Sequence, residues 1–401
     1  RHHGVVPVDR DRIEGQFSEL AARGFRIIAL GYRDCQPGEA LQQVGNMVFL
    51  GMVAMIDPIR PEARDAVLRC RAGGIDVAMV TGDHPATARA IALELELCGP
   101  DDPVVTGAML REASDQGEDW LHELIRRSRV FARIEPGQKE VIVDSLMQAG
   151  HFVAVTGDGV NDAPAMRRAN VGVAMGKRGT DVAKETADLI ITDDNFSSLV
   201  EGVAQGRIVY NNIRKVIGLL IATGFSALLL FFCTVIAGLP MPLTAVQLLW
   251  LNLVANGLQD VALAFEPREG GELRQPPRSP DEPVFERHIL EHVLVIGGCM
   301  GVMAFGVYAW LTANDTPIDQ ARNLTLMLMV LFGNIHALSS RSESKSLFRI
   351  PFFGNPFLIF AVPFAQLVHI AAMYLPGISD VLELQPISFR QWSVLAAVAL
   401  L

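Results

Sequence analysis

From about residue 216 onward the chain consists of long apolar runs, at about 216–238, 244–265, 289–311, 324–340, 356–375 and 388–401. Most approach the roughly 20 residues that a helix needs to span a bilayer. This half is therefore expected to be an all-α bundle of six transmembrane helices, with the lipid bilayer as its solvent. Arg268, Arg274, Arg278 and Arg287 follow the second run, and Arg341, Lys345 and Arg349 follow the fourth. The other loops carry at most one basic residue each. Cytoplasmic loops are enriched in Lys and Arg, which puts these two loops and the preceding soluble region in the cytoplasm.

The first 205 residues have a different texture. Over 46–196 apolar runs alternate with stretches rich in Ala, Leu, Glu and Lys. Strands are expected at 48–55, 75–80, 130–131, 152–155, 171–174 and 189–192, with helices at 62–71, 86–97 and 138–147 between them. Near-continuous apolar strands alternating with helices argue for a parallel sheet covered on both faces. Residues 1–45 are too few for a domain and read as the tail of something preceding. Arg1 in place of Met fits a fragment or processed piece. The net charge of −10 gives nucleic acid no electrostatic foothold. Five scattered cysteines without a CxxC pair suggest neither a disulfide framework nor a thiolate metal site.

Two strands end in the same tripeptide. Thr81-Gly82-Asp83 follows one, and Thr156-Gly157-Asp158-Gly159-Val160-Asn161-Asp162-Ala163-Pro164 follows another. In an open α/β sheet ligands bind at the carboxyl ends of strands. Asp158 and Asp162 are oxygen donors of the kind Mg²⁺ prefers, and the glycines let backbone approach a phosphate. Asp57-Pro58-Ile59-Arg60 reads either as part of this site or as a turn before a helix with Pro61 at its first position. Arg133-Ile134-Glu135-Pro136 precedes a helix with Lys139 in its first turn, where the helix dipole disfavours a cation. Lys139 either neutralises a phosphoryl group or is a solvated surface lysine. Thr81 either donates to a phosphoryl oxygen or caps the helix starting near Pro85.

The second apolar run carries Asn252, Asn256 and Asp260 at four-residue spacing, with Gln247 and Gln259 nearby. On a regular helix these positions share one face. Polar groups at membrane depth are costly and mark ion pathways, or else act as interhelical glue. Gly257 permits close approach or local unwinding. Thr223 and Ser226 in the preceding run are weaker members of the same set.

Together these motifs resemble those of the P-type cation-transporting ATPases, specifically the calcium-pump-like branch, over nearly the whole chain. The Thr156-to-Pro164 stretch is similar to the family's hinge motif, and Thr81-Gly82-Asp83 to its second phosphate-site motif. Asp57 to Arg60 is similar to the DPxR element, and Lys139 to the lysine that follows Arg133. Tyr210-Asn211-Asn212-Ile213-Arg214-Lys215 resembles the stalk entering the fifth membrane helix, and Val246–Leu253 with Gly257-Leu258 the sixth. The resemblance implies a nucleotide-binding-domain remnant at 1–45, a haloacid-dehalogenase-like (Rossmann-like) phosphorylation domain at 46–196, a stalk at 197–215 and membrane helices five to ten at 216–401.

It further implies ATP-driven cation transport through an aspartyl phosphate, with ATP and Mg²⁺ as cofactors. Thr81, Gly82, Asp83, Lys139, Asn161 and Asp162 would be catalytic, and Asp158 and Asp162 would hold the metal. Asp57, Arg60, Arg133 and Gly157 would contact the cofactor. Asn252, Asn256, Gln259, Asp260 and Thr223 would line the path of the transported cation. The implied setting is a multi-pass protein in a prokaryotic plasma membrane, working with an N-terminal part of the same pump. Two departures stand out. No Asp-Lys-Thr-Gly nucleophile motif occurs here. Ala227, Gly224, Ala255, Asn256 and Gly333 replace a glutamate, an asparagine, a threonine, an aspartate and a glutamate of the calcium pump. Asp260 is the one acid left on the stripe, which speaks against Ca²⁺ and leaves a monovalent ion, a proton or another cation open. A membrane-bound phosphatase of the same α/β fold, and a truncated non-catalytic membrane partner, are the competing readings.

Overall fold

The computed structural model describes residues 7–33, 47–55, 58–279, 282–283, 287–342, 345 and 349–401. Two compact units emerge, residues 1–203 with 273–280, and residues 204–272 with 281–401.

The first unit opens with α1 (Arg10–Ala22), capped by the Asp9 carboxylate, which accepts from Arg12 N at 3.1 Å. Next come β1 (Arg26–Tyr32) and β2 (Val48–Met55), paired antiparallel with Arg26 opposite Met55. The expected strand at 48–55 thus exists but stands outside the parallel sheet. The apolar run just before it is extended too, and offers its backbone groups as the ladder partner.

The alternating pattern follows: α2 (Pro61–Ala72), β3 (Met79–Val80), α3 (Pro85–Glu94), β4 (Val104–Thr106), α4 (Gly107–Gln116), α5 (Glu118–Arg127), β5 (Val130–Ala132), α6 (Pro136–Gln148), β6 (Ala154–Gly157), α7 (Ala163–Arg168), β7 (Val171–Met175), α8 (Asp181–Thr186) and β8 (Leu189–Ile191). All strand pairs here are parallel, in the orders β3-β5-β4 and β6-β7-β8. Proline opens α2, α3 and α6, where its missing N–H costs nothing and its φ is already helical. β5 is fully buried because both its faces are covered. Phe131 packs with Val105, Leu110, Ile125 and Ile142, whereas Val130 and Ala132 pack with Val67, Ala88 and Leu97. That division follows from the two-residue period of a strand. Two expectations shift. The strand at 75–80 contracts to Met79–Val80, and that at 152–155 slides to Ala154–Gly157, leaving Phe152 exposed.

The second unit is helical. α9 (Phe196–Ile236) is one 41-residue helix that begins in the first unit's sequence and continues into the second's. A helical run then comprises α10 (Ala245–Trp250), a π-helical stretch (Leu251–Asn256) and α11 (Gly257–Ala264). It is followed by α12 (Arg287–Ala313), α13 (Ile318–Ser339), α14 (Pro356–Ala372), α15 (Ile378–Leu382) and α16 (Phe389–Ala399). Among the described residues three helices are long and apolar enough to cross a membrane: α9, residues Ile289–Ala313 of α12, and α13. The other expected spans are the run broken by the π-stretch, the 17-residue α14, and the 11-residue α16.

α12 approaches α9 through glycine. A Cβ on Gly297 would lie 2.7 Å from Ala222 O, and one on Gly301 would lie 2.8 Å from Ser226 O. Small residues four apart let two backbones meet where lipid supplies no hydrophobic driving force.

Past the end of α11 the polar groups are closely matched. Asn355 Nδ2 donates to Ala262 O at 2.9 Å, and Asn212 Nδ2 to Ala264 O at 3.1 Å and Glu266 O at 2.7 Å. These side chains satisfy carbonyls that a helix end leaves orphaned. Glu266 and Arg341, both nearly inaccessible, pair at 2.8 Å, and Asn355 Nδ2 fills the other carboxylate oxygen at 2.8 Å. Glu269 accepts from Lys215 Nζ and from Ser342 Oγ, each at 2.6 Å. Burial pushes the Glu269 carboxyl up, but the Lys215 and Ser342 hydrogen bonds outweigh it and hold the group below its ordinary value.

Two outcomes follow from this packing. Gly301→Val should destabilise the helical unit by about 1–3 kcal/mol through overpacking, whereas Gly298→Ala, with nothing within 4 Å, should leave it as stable or slightly more so; thermal unfolding in detergent reads both. A depressed Glu269 pKa means that its stabilisation is present above the unfolded value of 4.5 and lost as pH falls through the lower folded value. Glu269→Gln should therefore flatten the acid limb of the stability–pH curve, and an unchanged limb would show that the carboxylate contributes nothing.

Candidate functional site

The two Thr-Gly-Asp turns lie at the carboxyl ends of β3 and β6, each an edge strand of its sheet. Thr81 is tied into its own turn. Its Oγ1 donates to Asp83 Oδ2 and accepts from Asp83 N, both at 3.1 Å. The cap of α3 is His84, whose Nδ1 accepts from Ala86 N at 3.2 Å, so Thr81 does not serve that purpose. The turn is clamped to the loop after β5: Arg133 N donates to Asp83 O and Ile134 N to Thr81 O, each at 3.1 Å. Arg133 is held at φ 54°, in the left-handed region that a non-glycine residue seldom adopts. That backbone clamp brings the loop after β5 against the turn after β3.

Lys139, in the first turn of α6, reaches Asp162 Oδ1 with its Nζ at 2.5 Å. The pair is largely enclosed, with side-chain exposures of 20% and 17%. The unfavourable position of Lys139 against the helix dipole is thus matched by a carboxylate. The other oxygen of Asp162 accepts from Gly159 N at 3.1 Å. Gly157 is required here by space. A Cβ on it would lie 2.4 Å from Asp162 Cβ and 2.9 Å from Met166 Sδ. Asp158 and Asn161 are exposed, and Asp158 O accepts from Thr180 N at 2.9 Å. Asp158, Asn161, Asp162 and Lys139 therefore gather around the end of β6, while Thr81 and Asp83 border the end of β3.

Arg60 is placed differently. Its guanidinium donates to the main-chain carbonyl of Asp194, a residue that the sequence reading did not single out. The Asp194 carboxylate accepts from Lys177 N at 2.8 Å and Arg178 N at 2.9 Å. The Lys177 N–H leads the hydrogen bonds that hold its carboxyl below the ordinary value. The local Thr192-Asp193-Asp194-Asn195 run, polar and turn-forming, was the available signal. Asp57 lies outside the described residues.

In the helical unit the expected shared face of Asn252, Asn256 and Asp260 is corrected. The π-stretch widens the turn between Asn252 and Asn256, so residues four apart fall out of register. Asn252 is exposed, whereas Asn256 and Gln259 are buried. Thr223 spends its hydroxyl on Leu219 O at 2.9 Å and Leu220 O at 3.1 Å, a helix-packing role. The partners of the stripe are residues that sequence reasoning passed over. Gln259 Nε2 donates to Asn334 Oδ1 on α13, and Asn334 Nδ2 donates to Gln366 Oε1 on α14 at 2.8 Å. Both are isolated amides in apolar helices, and that cost at membrane depth was the signal. Among the described residues no three or more His, Cys, Asp or Glu side chains group as a metal site.

Comparison with known proteins joins the two halves. Residues 17–170 match the haloacid dehalogenase-like hydrolase family, and residues 240–401 match the family described as cation transporting ATPase, C-terminus. The chain is 36% identical to "Probable cation-transporting ATPase F" of Mycobacterium tuberculosis, over 98% of this chain and 44% of that one. It is 34% identical to the cation-transporting ATPase pma1 of Synechocystis sp., over 97% of this chain and 44% of that protein. It is also 37% identical to a calcium-transporting ATPase of Bacillus subtilis, over 94% of this chain and 43% of that one. The chain thus spans less than half the length of these relatives. With a haloacid-dehalogenase-like region, membrane-capable helices and similarity over 94% to 98% of its own length, the chain belongs to the P-type cation-transporting ATPases and corresponds to their C-terminal part.

Proposed function

We propose that this chain is the phosphoryl-handling and ion-conducting portion of an ATP-driven cation pump. The observation that carries the reading is the enclosed Lys139–Asp162 pair beside the exposed Asp158 carboxylate, at the mouth of a parallel sheet. Phosphoryl transfer needs little from a protein beyond positioning and charge neutralisation. An ammonium already held at 2.5 Å from a carboxylate can shift to a phosphoryl oxygen with little rearrangement. Gly157 and Gly159 keep the turn tight, and the Thr81 hydroxyl, which donates to Asp83 within its own turn, would swing to a phosphoryl oxygen when one is bound. Asp158 fits Mg²⁺ as a hard, accessible oxygen ligand; the ion would neutralise charge on the phosphate. Arg60, engaged with Asp194, orders the approach to α2 and supports a nucleotide-facing role indirectly.

The acceptor aspartate comes from sequence outside this chain. Among the described residues β3 and β6 each leave one edge unpaired, and a strand delivering that aspartate between them would complete the sheet and bring it to both Thr-Gly-Asp turns. The chain spans less than half the length of these relatives, which supports further sequence in the whole protein as the source of that strand. The membrane unit supports transport, with the Asn256–Gln259–Asp260 turn as the ion-facing segment. The Lys and Arg residues of the loops after the second and fourth apolar runs support a cytoplasmic α/β region, and the bacterial relatives support a prokaryotic plasma membrane as the setting.

In the full-length protein Asp158→Asn should abolish phosphoenzyme turnover. Lys139→Met should lower it by about 100-fold, the scale of losing one charge-stabilising group. Glu118→Gln, at the exposed start of α5, should behave as the unaltered protein. Normal cation-stimulated ATP hydrolysis by the Asp158 variant would overturn the reading.

A further inference from the structure

Two imidazoles meet between α12 and α13, within one compact unit. His292 stands in the second turn of α12 and is exposed, whereas His336, near the end of α13, is buried. Their ring centres are 6.3 Å apart, with 30° between the planes. Packing of two flat rings would account for that distance. It does not account for the state of one nitrogen.

The hydrogen bonds of His336 decide which of its nitrogens carries the hydrogen. Ser339 Oγ donates its one hydrogen to His336 O at 2.9 Å. Only lone pairs of that oxygen remain for His336 Nδ1, 3.4 Å away. Ser340 Oγ lies 3.5 Å from the same nitrogen. Both contacts are favourable together only when Nδ1 carries the hydrogen and the two hydroxyl oxygens accept it. In a neutral imidazole this leaves Nε2 as a bare lone pair. Nε2 is enclosed and has no hydrogen-bond partner, in a residue that is 3% exposed. A buried acceptor left unmet is unfavourable and calls for a reason. The pattern is that of a metal-ligating histidine, with one nitrogen held as a donor by its own surroundings and the other open.

We propose that His292 and His336 bind one transition-metal cation of the Zn²⁺ class, tying the beginning of α12 to the end of α13. Imidazole nitrogen suits Zn²⁺, Ni²⁺ or Cu²⁺, whereas Mg²⁺ and Ca²⁺ seek oxygen. Zinc lies about 2.0–2.1 Å from each nitrogen, which puts the centres of two rings on one tetrahedral ion about 5–6 Å apart. A change of side-chain torsion at the exposed His292 closes the observed separation to that span. Among the described residues no third His, Cys, Asp or Glu completes a group with them, so water fills the remaining positions. The site is therefore open and reversible rather than a closed structural centre. It lies in the helical unit, apart from Asp158 and Lys139, and does not rest on the pump reading.

Equilibrium dialysis of the purified full-length protein in detergent tests this, with ⁶⁵Zn²⁺ as probe and Mg²⁺ in large excess to occupy oxygen sites. Zinc should bind saturably, and His292→Ala should weaken that binding at least tenfold. His151→Ala, at an exposed imidazole of the α/β unit, should leave it unchanged. Co²⁺ in place of zinc gives a second readout. His292→Cys should keep the cobalt and add a thiolate charge-transfer band in the near ultraviolet, a gain that a misfolded variant would not show. In that same background His336→Gln should remove the band at equal cobalt concentration. The proposal is overturned if His292→Ala binds zinc as tightly as the unaltered protein, if His292→Cys gives no thiolate band, or if the band survives His336→Gln.

Discussion

The ion pair between Lys139 and Asp162 is the contact on which the α/β unit's arrangement at the strand mouths depends. Lys139 stands on the helix after β5, the central strand of one three-stranded sheet, and Asp162 stands in the turn after β6, an edge strand of the other. The pair holds together segments from both sheets where a buried, unpaired lysine or aspartate would be strongly unfavourable. Gly157 is a consequence of the same contact, because the Asp162 side chain occupies the space of its missing Cβ. The clamp from Arg133 and Ile134 onto the turn after β3 completes the arrangement from the other side.

In the helical unit the corresponding constraint is satisfaction of polar groups away from water. Past the end of α11, Asn212 and Asn355 take up backbone carbonyls, and the buried Glu266–Arg341 pair is completed by Asn355. Breaking one partner of such a pair costs about 3–5 kcal/mol, since the remaining charge stays buried. The π-stretch of Leu251–Asn256 obeys the same logic in reverse. It gives up regular helical bonding just where Asn256 is turned toward Gly333. Irregular backbone at membrane depth is tolerated where it is enclosed by protein, and there it commonly serves a ligand.

Much of this was legible in the chain. The Thr-Gly-Asp repeats, Lys139 after a Glu-Pro helix start, and the polar stripe all announced themselves as residue types at odds with a bland role. What escaped was pairwise. β4 is a three-residue strand whose only evidence is its position beside β5. β2 is near-continuously apolar like the strands of the parallel sheets, yet pairs antiparallel with β1. Asn334 and Gln366 are each the one amide in the apolar runs 324–340 and 356–375, and nothing local says that they meet Gln259. The glycines at 297 and 301 show a four-residue spacing, but the helix they admit is 75 residues upstream at Ser226 and Ala222.

The sequence by itself determined the division into an α/β region and an apolar helical region, the family, and the residue types at both candidate sites. Each of these follows from periodicity, composition or contiguous motifs, all of which are local. Only the tertiary structure decided which of those residues face one another. It moved Asn252 off the stripe by one widened turn, gave Lys139 its carboxylate, occupied the Thr223 hydroxyl with its own helix, and tied Gln259 through Asn334 to Gln366. The physical reason is that the orientation of an amide, or the face a helical residue presents, depends on hydrogen-bond partners and helix pitch. Both are set by contacts between segments far apart along the chain.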